Sequence, residues 1–156
     1  MLNSVNTRNK RLLFIAPKFY HYHDEIINSL ESKRFQVTFY PEMLYGLFYR
    51  SIKLVSKKAE EKLRNRHIKT VIQKNENDSY DIVFVIRGCP LTSCSLETMH
   101  KLLIHAQFIM YQWDLMRQNN YKQFIKYFDY VSTFDMVDSE MHNLKYLPLK
   151  KIAGCW

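Results

Sequence analysis

The chain has 156 residues, 47% of them hydrophobic and 15% aromatic, with a formal charge of +8. That suits one domain burying roughly 70% of its unfolded surface, and it excludes a disordered chain beyond the polar tail at 1–10. No apolar run reaches the ~18 residues of a membrane span, and the tail lacks the apolar stretch of a secretory signal, so a cytoplasmic protein is expected.

The elements follow in chain order. "RLLFIA", 11–16, is an apolar run stopped by Pro17 and predicts a buried strand. His23, Ile26, Ile27 and Leu30 then recur at i, i+3, i+4 and i+7, one face of a helix from about Tyr22 to about Lys33. "FQVTFY", 35–40, ends at Pro41 and reads as a second strand. Residues 52–73 give a long helical pattern with Ile52, Val55, Ala59 and Leu63 on one stripe. "DIVFVIRG", 81–88, is the clearest strand. Leu96, Met99 and Leu103 mark a helix, "QFIMYQW" at 107–113 a strand, and 120–128 a short helix. "YVSTF" at 130–134, a helix at 136–144 and "KYLPL" at 145–149 complete the pattern. Strands alternating with helices predict a Rossmann-like three-layer α/β/α sandwich with a mostly parallel sheet of about six strands, spanning 11–149.

Three cysteines, Cys89, Cys94 and Cys155, suit reduced thiols. The C-x4-C spacing without a second pair supplies no four-ligand zinc site. Residues 50–74 hold nine Lys/Arg against two Glu. A solvated helix face explains that excess most simply. Anionic membrane surfaces, polyanionic substrates and nucleic acids are the other attractions to weigh.

In a parallel sheet, ligands bind beyond the carboxyl ends of the strands. The first strand delivers Lys18, Tyr20 and His21 there. The second delivers Pro41, Glu42 and the aromatic loop "MLYGLFY". The third delivers Arg87, Gly88 and Cys89, the fourth Gln112, Trp113 and Asp114, the fifth Phe134 and Asp135. Asp135 before "MVDSE" also fits a helix N-cap. Arg87 and Asp114 each follow a strand expected to be central, so they should pair across the crevice or face a ligand. The first βα turn, "APKFYHY", has no glycine, which excludes the dinucleotide fingerprint. No P-loop, nucleophile elbow or H-E-x-x-H helix appears. His21 and His23 are two residues apart and do not share a helix face, so no metal is expected there; His21 is read as a crevice-lining proton acceptor.

"KRLLFIAPKFYHYHDEIINSLESKRFQVTFYPE", "YDIVFVIRG", "AQFIMYQWDL", "FDYVSTFDMVD" and "KYLPL" together resemble the N-terminal half of CgeB-like bacterial glycosyltransferases, a lipopolysaccharide or capsular polysaccharide biosynthesis group. The similarity runs from about Lys10 to Leu149. It implies a GT-B enzyme whose N-terminal domain holds a saccharide acceptor, while a C-terminal domain holds the nucleotide-sugar donor without a structural need for metal or other cofactor. Tyr20, Arg87, Gly88, Trp113, Phe134 and Asp135 would then bind substrate, and Asp114 or His21 would serve as base if the enzyme inverts; a retaining enzyme need not use such a base. The basic stretch at 50–74 and the loop "YGLFY", 45–49, would suit an acceptor at the inner membrane surface. Such enzymes need a second domain of similar size. The residues at 150–156 are therefore expected to be a truncated tail, the donor domain to be absent, and this chain to be inactive alone.

Two other classes compete. One is a non-catalytic Rossmann-like binding or regulatory module. A receiver domain is disfavoured, because the first strand ends in "APK" and the third in "RGCP" rather than in acidic residues. The other is a nucleic-acid binder, which no recognition signature supports; no nucleic-acid partner is expected.

Overall fold

The computed structural model describes residues 9–44, 46–76 and 78–149. Most of the polar N-terminal tail, Tyr45 of the aromatic loop, and the tail 150–156 with Cys155 lie outside the described residues.

β1 (Lys10–Ala16) leads through α1 (Tyr22–Ser32) to β2 (Phe35–Pro41). Two helices, α2 (Leu47–Val55) and α3 (Lys57–Asn75), then reach β3 (Ile82–Ile86). α4 (Ser93–Leu102), β4 (Gln107–Gln112), a 3₁₀ helix (Lys122–Tyr127), β5 (Tyr130–Thr133), α5 (Met136–His142) and β6 (Lys145–Tyr146) follow. The six strands form one sheet in the order β2-β1-β3-β4-β5-β6, and every neighbouring pair is parallel. The fold is Rossmann-like α/β, with strand order reversing between β1 and β3.

Helices cover both faces, which is why β1 reads as an unbroken apolar run rather than an alternating one. On one face Leu13, Ile15, Val83, Val85, Phe108 and Met110 pack under α3, α4 and the 3₁₀ helix. On the other, Leu12, Phe14, Ala16 and Ile86 meet Ile26, Ile27 and Leu30 of α1. Asp24 and Glu25 in the first turn of α1 favour its dipole.

Three predicted elements differ. The single helix expected over 52–73 is two helices, parted at Ser56. Its backbone is extended there, and its side chain accepts from the Ala59 amide. Ile52, Val55, Ala59 and Leu63 keep helical spacing across that break, so periodicity alone ran through it. The helix expected at 120–128 is a 3₁₀ helix, and the last strand shortens to Lys145–Tyr146.

Candidate functional site

The β1/β3 reversal opens a crevice at the carboxyl ends of the strands. Pro17, Phe19, Tyr22, Arg87, Trp113, Asp114 and Leu149 line a groove of about 350 Å³ there. The Tyr22 and Trp113 rings meet edge to face, with centroids 6.4 Å apart.

At the groove, Arg87 and Asp114 meet a buried carboxylate, Glu42. Glu42 is 0% exposed. Its amide donates to the Ala16 carbonyl at 2.9 Å, tying the end of β2 to the end of β1. Its Oε1 accepts from Arg87 Nε at 2.6 Å and from Arg87 Nη2. Asp114 Oδ2 stands 3.9 Å from Arg87 Nε. The Arg87 amide donates to the Tyr111 carbonyl, and the Arg87 carbonyl accepts from the buried Gln112 Nε2 at 2.7 Å. Asn119 Nδ2 donates to the same carbonyl at 3.3 Å. The arginine is thus fixed from both its side chain and its backbone.

The backbone turns sharply to achieve this. Arg87 and Gly88 have φ of 67° and 65°, and the Gly88 amide donates to the Ile86 carbonyl. Only glycine takes that conformation without strain. A Cβ at Gly88 would also lie 3.0 Å from Leu91 Cδ1 and from Val85 Cγ1. Gly88→Ala is therefore expected to cost about 2 kcal/mol, read as a lowered denaturation midpoint with an unchanged urea slope.

Complete burial raises the Glu42 carboxyl above its ordinary range. The hydrogen bond and charge of Arg87, and then the Cys89 amide, pull it back without cancelling that effect. Arg87 stays charged across the physiological range. The guanidinium is offset by Glu42 below and Asp114 beside it. The groove therefore offers a carboxylate and three aromatic rings, not a free cation for phosphates.

The sequence candidates divide. Arg87, Trp113 and Asp114 come together in the groove, with Gly88 buried directly behind Arg87. Tyr20 and His21 do not line it. Tyr20 is exposed with its ring against Phe19, and His21 is exposed at the start of α1 with Nδ1 3.5 Å from Asp24. His23 is buried and stacks on Phe39. Phe134 is half-buried, its amide donating to the Gln112 carbonyl at 3.2 Å. Asp135 caps α5 by accepting from the Asp138 amide at 2.8 Å, and it borders a separate groove with Met116, Val137 and Met141.

Sequence reasoning passed over Glu42 as a site residue, although it stands directly after β2. Its signal was a carboxylate at a strand end with an arginine at another. Strand order alone does not choose it over Asp114, since β4, which delivers Asp114, is the strand beside β3; the choice is made by the burial of Glu42 against Arg87. Among the described residues no group of three His, Cys, Asp or Glu side chains converges as for a metal, and Cys89 and Cys94 are free thiols.

The class that fold and groove define is a Rossmann-like α/β domain with a groove at its strand ends. No family model matches the chain, and no curated protein matches it. Among solved structures it is similar to a Burkholderia pseudomallei K96243 protein described as related to pilus assembly. The identity is 12% and the TM-score 0.45, over 87% of this chain and 90% of that one. A likeness of that degree carries no argument.

Proposed function

We propose that the chain is the acceptor-side domain of a glycosyltransferase and holds a saccharide in the groove between Trp113, Tyr22 and Asp114. The observation that carries this reading is the pairing of aromatic rings with a carboxylate at the strand ends of a Rossmann-like sheet. Ring faces take the C–H faces of a sugar, and a carboxylate accepts from its hydroxyls. The resemblance of the strand ends to CgeB-like glycosyltransferases supports the same reading. The nucleotide-sugar donor would be held by a second domain. In an inverting transfer Asp114 takes the proton of the acceptor hydroxyl as its oxygen attacks the anomeric carbon and the nucleotide diphosphate leaves. Arg87, locked on Glu42, positions Asp114 rather than touching the donor.

The test is titration of the chain with lipopolysaccharide-core and capsular oligosaccharides, followed by calorimetry. Saccharide binding that Trp113→Ala weakens about tenfold or more, and Asp114→Asn weakens separately, supports the reading. No binding, or binding that both variants leave unchanged, overturns it.

A further inference from the structure

The corner between α2 and α3 carries a surface that the groove does not use. Leu54 and Val55, the last two residues of α2, are 88% and 85% exposed, more than any other large apolar side chain among the described residues. The corner is not frayed. Tyr49 is buried in α2 and donates its hydroxyl to Glu60 of α3 at 2.9 Å; burial, then Glu60, push its pKa up to about 12. Ser56 caps α3 between the two helices. The apolar pair is therefore held out by ordered structure.

Lys57 and Lys58 follow at once, exposed in the first turn of α3, where cations oppose the helix dipole. Helix stability does not account for them. Further along, Lys58, Lys62, Arg66 and Lys69 are all exposed and border an open groove of about 590 Å³ with Glu61 and Asn65. Ile68, Val71 and Ile72, on the other side of the helix, are packed into the core. Four cations against one acid thus face outward from α3, and two exposed apolar side chains end α2 just before it.

We infer that this corner docks the chain on the surface of an anionic lipid bilayer, Leu54 and Val55 entering the headgroup boundary while Lys57, Lys58, Lys62, Arg66 and Lys69 meet the phosphates. Apolar residues beside a basic stripe fit the interface between acyl chains and anionic headgroups. Nucleic acid is the poorer match: α3 has no Phe, Tyr or Trp on which a base would stack, and the apolar pair would find no use. Among the described residues no helix is long and apolar enough to cross a membrane, so the contact is from one side.

The experiment is flotation of the chain with vesicles of phosphatidylcholine alone and of equimolar phosphatidylcholine and phosphatidylglycerol. Binding to the anionic vesicles only, weakening with salt, is expected. Replacing Lys58, Lys62, Arg66 and Lys69 by Gln should weaken it about fivefold per charge, while arginine in place of the three lysines should retain it. Leu54→Ser with Val55→Ser should weaken it about tenfold. All these positions are exposed, and an unchanged melting midpoint confirms that each variant is folded. Absence of binding, or binding that none of the variants alters, overturns the inference. So does displacement of the vesicles by single-stranded RNA at equal affinity, or a dimer in solution that the Leu54/Val55 variant dissociates without change in vesicle binding. The outcome does not depend on what occupies the strand-end groove.

Discussion

Replacing Arg87 by Met should lower the unfolding free energy by about 3 kcal/mol at neutral pH. Glu42 would remain fully buried with its ion partner gone, and an uncompensated buried carboxylate is among the costliest single defects a fold can carry. The sign with pH follows from the carboxyl itself. Burial already raises its folded pKa above the ordinary carboxylate value, and loss of Arg87 raises it further. A carboxyl whose folded pKa is raised contributes most below its unfolded pKa, and that contribution is lost as pH rises through the folded pKa. The deficit of the variant should therefore be large at neutral pH and shrink in acid. Urea denaturation of both proteins at several pH values measures it. A deficit that is constant with pH would mean that Glu42 is not the group left stranded. Replacing the pair together, Glu42→Leu with Arg87→Met, should recover most of the loss, because apolar residues of similar volume carry no desolvation cost.

Phe14→Ala should cost about 4 kcal/mol. Phe14 is 0% exposed, stacked on Phe84 at 5.3 Å and tilted against Phe39 at 5.4 Å. It sits in the layer between the sheet and α1, together with Ile86 and Trp113. That layer is the smaller of the two, with a single helix above it, so little is at hand to collapse into the cavity. Ile86 precedes Arg87 and Trp113 precedes Asp114, so the groove should loosen with the core beneath it. Phe19→Ala is the matched control. Its ring is half-exposed at the rim of the same groove, and its loss should change stability by no more than about 0.5 kcal/mol. Chemical denaturation of the two variants side by side checks both values. Equal losses would place the anchoring layer elsewhere.

Much of the frame was legible because its signals are local. Apolar runs ended by Pro17 and Pro41 marked β1 and β2 to within a residue or so, since proline cannot donate into a following ladder. The stripe His23, Ile26, Ile27 and Leu30 marked α1, because side-chain period follows backbone geometry. The capping residue Asp135 was readable for the same reason. Ser56 was not, although it too is a cap, because the apolar stripe happens to stay in phase across it.

By itself the sequence determined the alternation of strands and helices, hence the parallel sheet, and which residues stand at the strand ends. Each depends on contacts within a few residues of chain. Tertiary structure alone decided which of those residues meet. β4, which carries Asp114, is the strand beside β3, yet Glu42, held to the end of β1 through the Ala16 carbonyl, is the buried partner of Arg87. Two consecutive left-handed residues aimed that arginine, and the turn into α1 sent Tyr20 and His21 outward to water. Pairings across 45 residues, such as Arg87 with Glu42, have no periodic signature. They arise from packing, which the chain specifies only as a whole.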